Sequence, residues 1–217
     1  METVGLYVGS FDPVTLGHLD IVSKAMKTFD KVIVGKGFNP KKKQSLLHPG
    51  VAAAMIAHAA REALGVEFDT RIAKGGEIGE GKVIIRHDRK DKRYPSTEQY
   101  PRENLHPAYT SLDGRLHIGV YEDDISAYAK RMGATHLVRG LRQVSDFNDE
   151  FTLHGVMREI SPELIPIHII CDAKFLHVSS STVRELAKLG YNDNLDWLVT
   201  PTVKDMVIDC TASVLRW

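Results

Sequence analysis

The chain has 217 residues, 43% of them hydrophobic and 26% charged, and a formal net charge of +0 at pH 7. That length predicts one α/β domain, here read as a single domain over 1–217, and the composition excludes a disordered or membrane-embedded class. A balanced total charge argues against a general nucleic-acid or membrane-surface binder, so any anionic ligand should be small. The two cysteines, Cys171 and Cys210, match neither a metal-knuckle spacing nor a disulfide framework and read as free thiols. No signal-peptide pattern and no apolar run of bilayer length occurs, so a cytoplasmic enzyme or binding protein is expected.

In chain order, Leu6 to Val8 reads as a short buried strand. Val22, Ala25, Met26 and Phe29 then recur at helical spacing, and "KVIVG" from Lys31 is a second strand. "VAAAMIAHAAREALG" is an alanine-rich helix closed by Gly65, and "VEF" (Val66 to Phe68) is the start of a third strand. Asp69 to about Ile118 breaks the rhythm. It is polar, rich in glycine and proline, and holds two short strand candidates, "KVIIRH" and "RLHIGVY". We read it as an insertion shaped as a hairpin with a long mobile tip, pointing to partial disorder or to a role at an oligomer interface. Beyond it come the helix "ISAYAKRMG", the strand "THLVRG", the helix "DFNDEFTLHGVMREI", the strand "IPIHII" and the helix "SSSTVRELAKLG". Such alternation predicts a Rossmann-like parallel sheet with helices on both faces, whose ligands bind at the carboxyl ends of the strands.

The stretch "VGSFDPVTLGH" carries the first chemical signal. Gly9 ends a strand where the backbone must approach a ligand closely. Asp12 and Pro13 set a tight turn, and Thr15 is a candidate N-cap. Gly17 and His18 then fall in the first helical turn, where unpaired N–H groups and the helix dipole favour an anion. An imidazole there can donate to a phosphate oxygen and stabilise charge that builds up during transfer.

"GSFDPVTLGH" resembles the GxFDPxTxGH signature of the adenylyltransferase branch of the nucleotidylyltransferase superfamily. Within that branch the chain is similar to the bacterial pantetheine-phosphate adenylyltransferases. "NPKKK", "LVRGLRQVSDFNDE" and "VSSSTVRE" follow in the family's order. The resemblance implies that ATP and 4'-phosphopantetheine give dephospho-coenzyme A and pyrophosphate, with Mg2+ carried by ATP and no metal site on the protein. The acceptor phosphate would attack the α-phosphorus in line, so positioning and charge neutralisation would carry catalysis.

By motif, the resemblance implies His18 as transition-state stabiliser, with Lys42 and Arg142 as its catalytic partners. ATP would be bound by Gly9, Ser10, Phe11, His18, Gly140, Arg142, Glu150, Val178, Ser179, Ser180 and Ser181. Ser10, Lys42, Arg139 and, through its backbone, Ile125 would hold the acceptor. Glu150 reads equally as an ordinary charge near the start of a helix. Thr182 with Glu185 has capping-box spacing, with the cap itself at Thr182 or a residue or two earlier. Related enzymes are hexamers, which implies a homo-oligomer.

Asp149 stands where the family has tyrosine, Met157 where an asparagine lines the pantetheine pocket, and "LLHPG" replaces an acidic helix start. Three other readings stay open: the same chemistry on another phosphorylated acceptor such as nicotinamide mononucleotide, a non-catalytic nucleotide-binding module, and a cytidylyltransferase. The last would normally carry a second histidine where this chain has Thr15. Metal-dependent hydrolysis does not fit, because the ten histidines show no ligand-like spacing.

Overall fold

The computed structural model describes residues 2–38, 49–68, 78–79, 82–83 and 109–214. Its elements are β1 (Val4–Gly9), α1 (Leu16–Thr28), β2 (Lys31–Gly37), α2 (Pro49–Leu64), β3 (Ile78–Gly79), β4 (Lys82–Val83) and β5 (Tyr109–Thr110). They continue with β6 (Leu116–Tyr121), α3 (Ile125–Met132), β7 (His136–Leu141), α4 (Val144–Ile160), β8 (Ile165–Ile170), α5 (Ser180–Lys188) and α6 (Pro201–Val214).

Six strands form one sheet in the order β5-β6-β2-β1-β7-β8. All neighbours are parallel except β5, which runs antiparallel along β6. From β1 the chain winds outward to β2 and β6, then returns to the other side of β1 for β7 and β8. The switch point therefore lies between β1 and β7, where a crevice opens at the carboxyl ends of the strands.

Strict alternation along the inner strands sends side chains into two cores. Tyr7, Val32, Val34, Leu116, Ile118 and Val138 face the first, which is closed by residues of α1, α2, α5 and α6. Val4, Leu6, Val8, Ile33 and Leu137 face the second, closed by Tyr128 and Ala129 of α3 and Met157 of α4. Helices thus cover both faces, which is why the inner strands read as unbroken apolar runs. Gly35 is required by this packing: a Cβ there would lie 2.8 Å from the Tyr128 ring, closer than any side chain tolerates.

Several expectations need correction. β1 begins at Val4 rather than Leu6, because its register against β2 starts at Val4 and Lys31. "VEF" is not the third parallel strand: Phe68 alone pairs, through an isolated antiparallel bridge to Ser111. The inner strand is "LHIGVY", paired along its length with β2. The expected insertion therefore ends before Tyr109, and the sheet uses residues assigned to it. Of "KVIIRH", Lys82–Val83 pairs with Ile78–Gly79, and the rest of the segment lies outside the described residues. The expected long tip lies outside them as well.

Helix ends follow their caps. Asp124 accepts from the Ala127 N–H and opens α3, and Gly133, at φ 66, closes it in the left-handed conformation. α5 is capped by Ser179, which accepts from the Thr182 N–H at 3.1 Å, so the cap lies three residues before Thr182. α6 was not read from the sequence; Val203, Met206 and Val207 seal it onto the first core. Exposed large apolar side chains gather on α4 and the edge strand β8: Phe151, Val156, Ile160, Ile165 and Ile170.

Candidate active site

The crevice is built around the turn between β1 and α1. Gly9 is small for a reason the sequence does not show: a Cβ there would sit 3.1 Å from the Phe11 ring. The aromatic side chain folds back over the strand end. Phe11 adopts φ 41 and is buried, its ring edge-on to both Tyr7 and His18, the latter at a centroid distance of 5.1 Å. Ser10 is left exposed at the mouth of the turn.

Thr15 caps α1 as expected, and the cap fixes His18. The Thr15 side chain accepts from the His18 N–H, while the Thr15 N–H donates to His18 Nδ1 at 3.0 Å. A backbone N–H can only donate, so Nδ1 is the acceptor nitrogen and the ring proton resides on Nε2. Burial, reinforced by the positive charge of Arg142, lowers the His18 pKa to about 4. The imidazole is neutral at physiological pH and offers an Nε2–H donor. It is not a cation; the arginines supply the charge.

Those arginines leave the carboxyl end of β7. Arg139 forms a two-pronged ion pair with Glu150, at 2.7 Å from Nε and 2.5 Å from Nη2, and its Nη1 donates to the Val8 carbonyl at 3.3 Å. The residue assigned to the acceptor and the one assigned to the nucleotide are therefore joined. Arg142 donates through Nη1 to the Val178 carbonyl at 3.1 Å and lies 3.4 Å from Asp146. Asp146 also accepts from the Arg142 N–H. Although burial pulls its carboxyl upward, that backbone bond and the Arg142 charge hold it below the usual range. Gly140 leaves room between them: a Cβ there would meet Ile21 at 3.0 Å and the Tyr7 hydroxyl at 3.4 Å.

The start of α5 completes the wall. Ser180 donates to the Pro13 carbonyl at 2.8 Å, and Arg184 donates to the Asp12 carbonyl. Ser179 is engaged as the cap and with Ser181 at 2.9 Å. Val178 is buried, its carbonyl accepting from Arg142 and its N–H donating to the Phe175 carbonyl. Ile125 opens α3 and is half-buried against the second core. Met157 belongs to that core, with Ser126 Oγ 4.0 Å from its sulfur. Lys42, the Asp149 side chain and the "LLH" of "LLHPG" lie outside the described residues.

Sequence reasoning missed four residues here. Tyr7 lies in the field of Arg139, Arg142 and Glu150, and burial pushes its phenol well up, so it remains an O–H donor. Asp146 and Arg184 act as struts, and Lys36 is buried at the end of β2. An aromatic and a lysine inside otherwise aliphatic strands were the available signals. Among the described residues, no group of three or more His, Cys, Asp or Glu side chains converges to hold a metal ion, and no helix is long and apolar enough to cross a membrane.

The profile of the cytidylyltransferase-like family matches residues 6–186. Within it, a Paracoccus denitrificans protein named phosphopantetheine adenylyltransferase is 30% identical over 94% of this chain and 96% of its own length. The chain belongs to the phosphopantetheine adenylyltransferase family. A Streptococcus pneumoniae phosphopantetheine adenylyltransferase is 33% identical over 87% of the chain and 86% of its own length. A Plasmodium falciparum nicotinic acid mononucleotide adenylyltransferase structure superposes with a TM-score of 0.50 at 12% identity, covering 100% of this chain and 97% of that one. At that identity the likeness speaks to the fold, which phosphopantetheine adenylyltransferases and this more distant protein share.

Proposed function

We propose that the chain transfers the adenylyl group of ATP to 4'-phosphopantetheine, giving dephospho-coenzyme A and pyrophosphate. The observation that carries this reading is the similarity, along nearly the whole of both chains, to proteins named phosphopantetheine adenylyltransferase.

In this reading an oxygen of the acceptor phosphate attacks the α-phosphorus of ATP. The bond to the β,γ-pyrophosphoryl group breaks, and pyrophosphate departs with the electron pair. The nucleophile is already ionised, so no general base is needed, which suits a site whose histidine is a neutral donor. His18 Nε2–H donates to an oxygen of the α-phosphate, and Arg142 balances the charge that develops there. Gly9, Ser10 and Phe11 shape the turn beneath the α-phosphate. Gly140, the Val178 backbone and Ser179 to Ser181 border ATP, and Glu150 contacts its nucleoside end. Lys42, Arg139, Ser10 and the Ile125 backbone hold the acceptor.

The donors at the crevice suit phosphate oxygens rather than a bare cation, so we place Mg2+ on the ATP phosphates, where it would neutralise the leaving group. The free thiols Cys171 and Cys210 agree with a reducing cytoplasm. The apolar side chains exposed on α4 and β8 agree with a homo-oligomer.

The test is release of pyrophosphate from ATP across a panel of acceptors. Turnover is expected with 4'-phosphopantetheine, with no release in its absence. Turnover with nicotinamide mononucleotide instead, or with no acceptor on the panel, would refute the reading.

A further inference from the structure

Tyr121 ends β6 on the face of the second core, directly beside its register partner Gly37 at the end of β2. Its ring is pinned: it stacks on the buried Tyr128 ring with centroids 4.6 Å apart and planes 12° from parallel. Only 9% of the residue is exposed. Among the described residues the Tyr121 hydroxyl nevertheless has no hydrogen-bond partner, and unlike the enclosed hydroxyl of Tyr128 it is not sealed from solvent. A tyrosine held this firmly, with its polar end unpaired at the carboxyl edge of the sheet, is placed to meet a ligand.

Printed geometry ties that hydroxyl to the crevice. Gly37 does not need its freedom for a positive φ; instead, a Cβ there would lie 3.2 Å from the Tyr121 hydroxyl and 3.7 Å from the Gly9 carbonyl. The two distances share one point, so the hydroxyl lies within about 7 Å of the strand end that leads into the Phe11 turn. Arg139 lies on the same face by alternation with Leu137, and its Nη1 donates to the carbonyl of Val8, the residue before Gly9. Its charge is felt at the Tyr121 phenol, where burial outweighs it and holds the pKa above the ordinary value. The phenol therefore stays neutral, able both to donate and to accept.

That chemistry differs from its neighbour's. A guanidinium suits a phosphate, whereas a neutral hydroxyl suits an amide or an alcohol. The arm of 4'-phosphopantetheine carries both, and Gly37 leaves the floor beside the hydroxyl bare. We propose that Tyr121 is a further acceptor-binding residue, whose hydroxyl bonds an uncharged amide or alcohol of the acceptor while Arg139 takes its phosphate. This rests on the function proposed above for the identity of the acceptor, not for the place of the hydroxyl.

Tyr121→Phe keeps the stacked ring and removes only the oxygen. Steady-state constants for both substrates, the calorimetric Kd of 4'-phosphopantetheine and the Tm are measured for wild type and variant. The acceptor KM and Kd are expected to rise about threefold to tenfold, the scale of one neutral hydrogen bond, with the ATP KM within about twofold. Tm should hold or rise, because the oxygen bonds no described residue. Unchanged acceptor constants would overturn the proposal. So would equal losses for ATP and acceptor with a lowered Tm, the mark of a tyrosine that serves packing alone. If wild type turns over nicotinamide mononucleotide and not 4'-phosphopantetheine, the proposed function fails, and Tyr121 stands or falls by the same ratio measured on that acceptor.

Discussion

Replacing His18 with alanine is expected to lower kcat by about 10²–10³-fold, the range for removing one preorganised donor to a developing oxyanion, with the ATP KM little changed. The Nε2–H matters most when charge accumulates on the α-phosphate, so its loss should fall on kcat rather than on ground-state binding. The ring also has a structural duty, since Nδ1 accepts from the Thr15 N–H. His18→Gln separates the two roles. Glutamine at the third helical position suits a capping box, so this variant should regain stability lost in His18→Ala without regaining turnover. Recovery of turnover together with stability would make His18 a capping residue and nothing more. Acid sensitivity should change as well. His18 titrates at about 4 in the folded protein against an ordinary 6.5, so the unfolded chain takes up its proton first as pH falls. The stability gained by keeping the ring neutral is full above pH 6.5 and is lost as pH falls toward 4. His18→Gln should show a shallower decline in Tm across that window.

Arg139→Ala is expected to reduce kcat/KM for the acceptor by about 10²–10³-fold, the scale of breaking a partly buried ion pair by removing one partner. Two effects combine. A forked donor to the acceptor phosphate disappears, and the Glu150 carboxylate, now without its guanidinium, faces an incoming anion. The double variant Arg139→Ala/Glu150→Gln removes the second effect and should recover part of the loss, about tenfold, by the logic of a double-mutant cycle. Strict additivity of the two single losses would show that Glu150 and Arg139 act independently, contrary to the paired geometry.

β2 and the start of β7 were legible because burial on both faces leaves unbroken apolar runs, and β8 because its run is equally apolar, although it is an edge strand whose Ile165 and Ile170 are exposed. The caps at Thr15 and the glycine stops at Gly65 and Gly133 were legible because their chemistry is local. "VEF" misled because a short apolar stretch after a helix satisfies the strand pattern, whereas "RLHIGVY", which completes the parallel sheet, was read as a strand but assigned to the insertion because of the polar stretch before it. In the site, the motif residues His18, Arg139, Arg142 and Glu150 lie close together, around Tyr7 and the end of β7. The motif could not reveal that Arg139 and Glu150 are bound to each other, since that depends on where α4 packs over β7. Nor could it show that a side chain at Gly9 would meet the Phe11 ring. The proton on His18 was equally out of reach, because it depends on a backbone N–H three residues away and on the burial of the ring.

Central to the proposed reaction is a neutral His18 imidazole, held by the helix cap so that Nε2 carries the proton, while Arg139 and Arg142 provide the charge. Nitrogen-resolved NMR of histidine-labelled protein, with His18 assigned by substitution, tests this most directly. The Nε2–H tautomer at pH 7 and a midpoint near 4 are the predicted result. A proton on Nδ1, or an imidazolium persisting to neutral pH, would contradict it.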